Sequence, residues 1–218
     1  PGILGEAIAS NYIDGQWIGS LIDISYSSGY WIKIETENNE LIDLDVSGLP
    51  LNPDYVYSLH SGSNLISYPF AGSSLLADAI PDNAQNSIIG IIGENSSALN
   101  TEDGWIGGLM DLSGASGYWF ITSEDVEFSF NIPALDDNLS RKNQDVRMVP
   151  DLYKFNQSRN QAFYFIEEIE INGESLTTDD LLIAYNGDVI VGSRYWYGEV
   201  TDVPAMGIDD GDIYNGYA

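Results

Sequence analysis

Residues 5–31 read Gly5-Glu-Ala-Ile-Ala-Ser-Asn-Tyr-Ile-Asp-Gly-Gln-Trp-Ile-Gly-Ser-Leu-Ile-Asp-Ile-Ser-Tyr-Ser-Ser-Gly-Tyr-Trp31. Residues 93–119 read Gly93-Glu-Asn-Ser-Ser-Ala-Leu-Asn-Thr-Glu-Asp-Gly-Trp-Ile-Gly-Gly-Leu-Met-Asp-Leu-Ser-Gly-Ala-Ser-Gly-Tyr-Trp119. The two align without a gap at an offset of 88, and 12 of the 27 pairs are identical. The shared W-I-G-x-L-x-D-x-S and S-G-Y-W blocks are too rich in rare residues to coincide by chance. An internal repeat is therefore the first fact about this chain.

Working outward, each copy alternates apolar and polar residues at the strand period. The first continues as Trp31-Ile-Lys-Ile-Glu, a polar turn and Leu41-Ile-Asp-Leu-Asp. The second continues as Trp119-Phe-Ile-Thr, a Ser-Glu-Asp turn and Val126-Glu-Phe-Ser-Phe130. Both read as hairpins. The glycine before each Tyr-Trp marks either a positive φ or a close backbone approach. The second copy has a front half: strands at Tyr55–His60 and Asn64–Pro69, and helical turns over Ser73–Pro81, capped by serine and stopped by Pro81. The first copy lacks this half, so the chain reads as a fragment of a longer repetitive one. Residues 151–218 form a different module, β-rich from Phe155 to Ile171, with turns at Asn172-Gly173 and Asn186–Asp188.

The predicted fold is mainly β: two related repeat modules with short helical turns, then a β-sandwich-like C-terminal module. The predicted boundaries are a truncated module 1 at 1–54, module 2 at 55–132, a linker at 133–150 and the last module at 151–218.

Composition narrows function. The chain has 218 residues, 34 acidic against 7 Lys and Arg, a net charge of −27 and no cysteine. Seven cations cannot neutralise a nucleic-acid backbone, so no nucleic-acid partner is expected. The same charge opposes anionic membrane, and no apolar run is long enough for membrane insertion. No disulfide, Fe–S or thiolate zinc site is open to it. The acidic surface repels itself except at high salt, where the screening length falls to roughly 3 Å. That favours a saline or calcium-containing location outside the cell. The basic residues concentrate between Arg141 and Arg159 and mark a junction.

Catalysis finds little support. The single histidine, His60, lies beside a turn, and no G-x-S-x-G elbow surrounds any serine. No catalytic residue is assigned, and the chain is expected not to be an enzyme. Asp209, Asp210 and Asp212, flanking Gly211 with Asp202 nearby, are candidate calcium ligands, so a structural calcium is the one candidate cofactor. Glu167, Glu168 and Glu170 read as a solvated strand face. The recurring Trp17/Trp105, Tyr30/Tyr118 and Trp31/Trp119 suit a shared core. Tyr195, Trp196 and Tyr197 must point alternately to both faces of a strand, which makes them the candidate carbohydrate or partner contacts.

With these residues in view, the chain resembles the VrlC-like and virion structural proteins of marine cyanophages and their relatives on marine bacterial surfaces. The carrying segments are Gly62-Ser-Asn-Leu-Ile-Ser-Tyr-Pro, Ala79-Ile-Pro-Asp, Ile89-Gly-Ile-Ile-Gly-Glu, both W-I-G-x-L and G-Y-W blocks, Asn156-Gln-Ser, Gln161-Ala-Phe-Tyr-Phe-Ile, Ala184-Tyr-Asn-Gly-Asp188, Val191-Gly-Ser-Arg194 and Asp202-Val-Pro-Ala-Met-Gly207. The resemblance implies a tail or fibre part, or a bacterial surface protein, located in a virion or outside the cell. Its expected partners are other copies of itself or other virion or surface subunits, and cell-surface glycan. The alternative is a carbohydrate-binding module of a secreted adhesin or glycan-active enzyme.

Overall fold

A computed structural model describes residues 1–34, 51–133, 147–158, 160–208 and 217. In chain order its elements are β1 (Gly2–Gly5), β2 (Ile8–Ile13), β3 (Gln16–Gly19), β4 (Trp31–Lys33), β5 (Tyr57–Leu59), β6 (Gly62–Ser67), β7 (Ser73–Leu75), α1 (Leu76–Ala79), α2 (Asp82–Gln85) and β8 (Ile88–Ile92). There follow β9 (Ser97–Thr101), β10 (Gly104–Gly107), β11 (Asp111–Ser113), β12 (Gly117–Thr122), β13 (Val126–Phe128), β14 (Gln161–Ile166), β15 (Glu170–Ile171), β16 (Glu174–Ser175), β17 (Leu181–Asn186), β18 (Val189–Tyr195) and β19 (Thr201–Met206). The protein is mainly β. It divides into two compact units, one of Pro1–Ile91 with Asp111–Ser140, the other of Ile92–Met110 with Arg141–Ala218. The expected strand Leu41–Asp45 and most of the expected linker lie outside the described residues.

The repeated segment folds twice with one local geometry. In the β2–β3 hairpin Ser10 faces Gly19, Asn11 faces Ile18, Tyr12 faces Trp17 and Ile13 faces Gln16. In β9–β10 Ala98 faces Gly107, Leu99 faces Ile106, Asn100 faces Trp105 and Thr101 faces Gly104, the same register 88 residues on. Leu21 N donates to Ala9 O at 3.1 Å and Leu109 N to Ser97 O at 3.0 Å. The phenol oxygens of Tyr30 and Tyr118 accept from Ser25 N and Ser113 N, both at 2.8 Å. Ala7 and Asn95, also equivalent, both adopt positive φ, 56° and 66°. The two copies thus share strand register and the tyrosine latch, while their hairpin turns differ: Asp14 and Gly15 adopt positive φ, 49° and 84°, and the equivalent Glu102 and Asp103 do not.

In the first unit, β3, β2, β1 and β4 form one sheet in that order, and β12 lies between β8 and β6. The other edge of β6 is covered by the Ser-Ser-Gly of the first copy. Gly29 N donates to Leu65 O at 3.0 Å and Ser67 N to Ser27 O at 3.2 Å. Strand β6 therefore bonds to both equivalent S-G-Y segments, through Leu65 and Ser67 to the first copy and along its length to β12. This explains the glycines. A Cβ on Gly29 would stand 2.8 Å from Ile66 O, and one on Gly117 2.9 Å from Gly29 Cα. Close approach, not positive φ, is the reason for the residue.

Two hairpin expectations are corrected. Strand β13 pairs with β5 rather than β12, and β6 pairs with β12 rather than β5. Both chain segments change sheet at one corner, where Ser61 N donates to Asp125 Oδ1 (2.8 Å) and Thr122 Oγ1 to His60 O (2.6 Å). Polar side chains satisfy the backbone where the ladders stop. The crossing brings Tyr57, Tyr68, Phe120, Phe128 and Phe130 into one buried aromatic cluster, with ring centroids 5.0–6.3 Å apart among the contacting pairs. Such pairs add about 0.5–1.5 kcal/mol each beyond area burial. Burial pushes the Tyr57 hydroxyl up to about 12.

The helical turns are also corrected in detail. Ser73 and Ser74 belong to β7, which pairs with β11, and α1 begins after Leu75 without a side-chain cap. Pro81 does end α1: Ile80 before it is extended, as the proline ring requires. These turns fall in the second module, and the described residues of the first hold none.

In the second unit, β14 pairs with β19 and β17 with β18. The sandwich expected here takes the form of two-stranded antiparallel pairs among the described residues. Asn172 and Gly173 supply the two positive φ values, 57° and 83°, of the β15–β16 turn. Asn186 faces Val189, so Gly187-Asp188 closes β17–β18 as expected. Val191, Met206 and Tyr217 form a core cluster backed by Phe155, Ala184, Val189 and Ala205.

Candidate functional site

Of the aromatic trio, Trp196 is 6% exposed and belongs to the core. This corrects its placing among the surface contacts, because β18 ends at Tyr195 and the chain turns Trp196 inward. Tyr195 lies under the Arg147 guanidinium, 4.1 Å from its ring centre. Tyr197 remains 40% exposed. The recurring tryptophans are corrected the other way. Trp17 is 53% exposed, and Trp31, Trp105 and Trp119 are half-buried. On β12 the buried face carries Tyr118, Phe120 and Thr122, and strand alternation sends Trp119 to the opposite side.

Asp209, Asp210 and Asp212 lie outside the described residues. Asp202 is not spare for a cation. It is fully buried, and its Oδ2 accepts from Ser97 N at 2.9 Å and from Arg194 Nη2 at 3.3 Å. Arg194 Nε also donates to Asp202 O at 3.0 Å, and Nη2 donates to Asn95 O. Burial raises the Asp202 carboxyl above the usual range, against the lowering pull of Arg194. Gly108 makes room for it: a Cβ there would stand 2.5 Å from Asp202 Oδ1 and 2.7 Å from Tyr197 Oη. An arginine alone in the apolar run Val189–Tyr195 was the sequence signal for this pair. Among the described residues no three His, Asp or Glu side chains gather as a metal site. Glu167, Glu168 and Glu170 are exposed.

His60 meets Glu6, not a serine hydroxyl. Its Nε2 stands 2.7 Å from Glu6 Oε1 and its Nδ1 2.8 Å from Ser61 O. Glu6 Oε2 also accepts from Leu65 N at 2.9 Å. With both ring nitrogens facing acceptors, the imidazolium is the favoured form. The Ser61 carbonyl and then Glu6 raise the His60 pKa. The ring has no free nitrogen to act as a base in this arrangement. The pair ties the turn of the first copy to the β5–β6 corner.

Among the described residues of the second unit, a concave surface lies between the β14–β19 and β17–β18 pairs. It is a groove of about 570 Å³ with Ala184, Val191, Ala205 and Met206 among its lining. Asn160, Gln161, Tyr164, Tyr185 and Asn186 supply its polar and aromatic groups. Sequence reasoning did not bring these residues together because they come from four strands, β14, β17, β18 and β19, separated in the chain.

No protein-family model, no curated protein and no solved structure matches this chain. No helix among the described residues is long and apolar enough to cross a membrane.

Proposed function

We propose that this chain is a non-enzymatic structural and attachment segment of a larger repetitive protein, placed in a virion tail or fibre or on a cell surface. The observation that carries the reading is backbone joining: the S-S-G of one copy and the S-G-Y-W strand of the next both bond to β6. Modules joined by backbone ladder bonds add length without needing a site. The acidic surface keeps such an array soluble in salt water. The chemistry also supports it, since His60 and Asp202 are both engaged in structural bonds. Partners would be further copies of the chain or other subunits of the same assembly.

Sedimentation and negative-stain imaging of purified protein from low salt to seawater ionic strength test this. Elongated particles or ordered oligomers are expected. A compact monomer at every concentration, or turnover of polysaccharide or peptidoglycan, would overturn it.

A further inference from the structure

We propose that the groove between the β14–β19 pair and the β17–β18 hairpin binds a neutral oligosaccharide. This goes beyond the scaffold reading and rests on different residues from it.

Two tyrosines supply the first argument. Tyr164 from β14 is 60% exposed and Tyr185 from β17 is 55% exposed, and both line the groove. Rings of this size left in water beside a concave apolar surface mark a surface awaiting a partner. The C–H faces of a sugar stack on such rings. The backbone is shaped for it as well: the β17–β18 register shifts between Ala184 and Tyr185. Bulges of this kind re-aim a side chain beside functional sites.

The polar groups supply the second. Asn160 and Gln161 are neutral amides, which both donate and accept, as hydroxyl groups do; Asn160 Nδ2 is already held by Ile208 O. Gln161 Oε1 is buried without a hydrogen-bond partner, an unmet acceptor at the groove. Once the amide rotates to bring that oxygen to the groove wall, a sugar hydroxyl can donate to it, whereas a carboxylate or phosphate cannot.

Charge supplies the third. In a chain with 34 acidic side chains and a net charge of −27, none of the described residues that line the groove is charged. The surrounding field repels uronic, sialic and sulfated glycans, and the described lining offers a cation no carboxylate. Its volume, about 570 Å³, lies within the range of small-molecule clefts and holds about two hexose rings.

The test uses the whole chain in affinity electrophoresis and titration calorimetry. The probes are β-glucan, xylan, mannan and starch, with alginate and a sulfated glycan beside them, each with calcium and with chelator. Retention by at least one neutral glycan, unchanged by chelator, is expected. Tyr164→Ala and Tyr185→Ala should each weaken binding about tenfold or more, as loss of a stacking anchor does. Tyr185→Phe, which keeps the ring, should bind nearly as the parent, and so should Trp17→Ala in the other unit. Should an alanine variant melt early, hydrogen exchange of the parent decides. Protection on adding the bound glycan must fall on residues 160–166 and 181–186. No retention by any neutral glycan, binding confined to acidic glycans, binding lost in chelator, or protection elsewhere would each overturn the proposal. So would parent-like binding by folded tyrosine-to-alanine variants. None of these results bears on elongation or assembly, which test the scaffold reading separately.

Discussion

Ile32 and Phe120 hold the same place in the two copies of the repeat, yet Ile32 is 46% exposed and Phe120 is fully buried. Ile24 and Leu112 differ more widely, 69% against 0%. The backbones around them share register and the tyrosine latch. What differs is the company each copy keeps. The second copy folds with β5, β6, β7 and two helical turns, whose side chains close over its inner face. Among the described residues the first copy carries no such cover. A local pattern therefore sets where each side chain points, while burial depends on what else arrives.

One substitution inside the repeat makes the same point from the other side. Position 20 is serine and its equivalent, 108, is glycine. Ser20 Oγ accepts from Ala9 N at 3.1 Å. In the second copy the equivalent amide, Ser97 N, donates to Asp202 instead, and Gly108 leaves the space that Asp202 fills. The same orphan donor is satisfied by a local hydroxyl in one hairpin and by a carboxylate 105 residues away in the other.

The largest effect that would break this comparison concerns the core. Phe120→Ala should lower unfolding free energy by about 3–5 kcal/mol. Ile32→Ala should change it by less than about 1 kcal/mol, since an exposed side chain loses little on truncation. Urea denaturation of both variants measures the contrast, and equal losses would refute it.

Next comes the carboxylate. Asp202→Ala leaves Arg194 and Ser97 N without their partner and should cost about 3–5 kcal/mol by the same measurement. Ser20→Ala, which removes the corresponding local bond in the first hairpin, should cost about 1 kcal/mol.

Exchanging the distinguishing residues sharpens the contrast further. Gly108→Ser crowds Asp202 and the Tyr197 hydroxyl and should cost about 1–3 kcal/mol. Ser20→Gly crowds nothing and should cost no more than Ser20→Ala by more than about 1 kcal/mol. Differential scanning calorimetry would report both as shifts in melting temperature.

The smallest effect is the pH dependence of the join between the copies. The folded state raises the His60 pKa, so the stabilisation is fully present below the ordinary histidine value. It is lost as pH rises through the raised one. The ring is exposed, so the change should be slight. Melting temperature followed from pH 5 to 9 should fall more steeply for the parent than for His60→Gln. Parallel profiles would remove the His60–Glu6 pair from the account.

Much of the backbone was legible beforehand. Two strands per repeat, the shared offset, the stop at Pro81 and the turns at Asn172-Gly173 and Gly187-Asp188 all follow from short-range rules. These are alternation, proline sterics and the positive φ that Asn and Gly accept. Pairing across the sheets was not legible. Trp119–Phe130 reads as a hairpin because its halves are adjacent, but β12 finds β6 and β13 finds β5, partners that sequence distance conceals. The same blindness placed the tryptophans inside and Trp196 outside, because alternation gives two faces without saying which is wet. The groove residues Tyr164 and Tyr185 stood within segments that carry the resemblance, but nothing in the sequence marked them as neighbours.

Sequence alone determined that this chain is β-rich, acidic and internally repeated, because composition and strand period are properties of residues and their near neighbours. Tertiary structure decided which faces are buried, that Asp202 answers Ser97 and Arg194, and that the described lining of one groove in an acidic molecule carries no charge. Those outcomes depend on which distant segments exclude water from one another, and solvent exclusion is a property of the assembled chain.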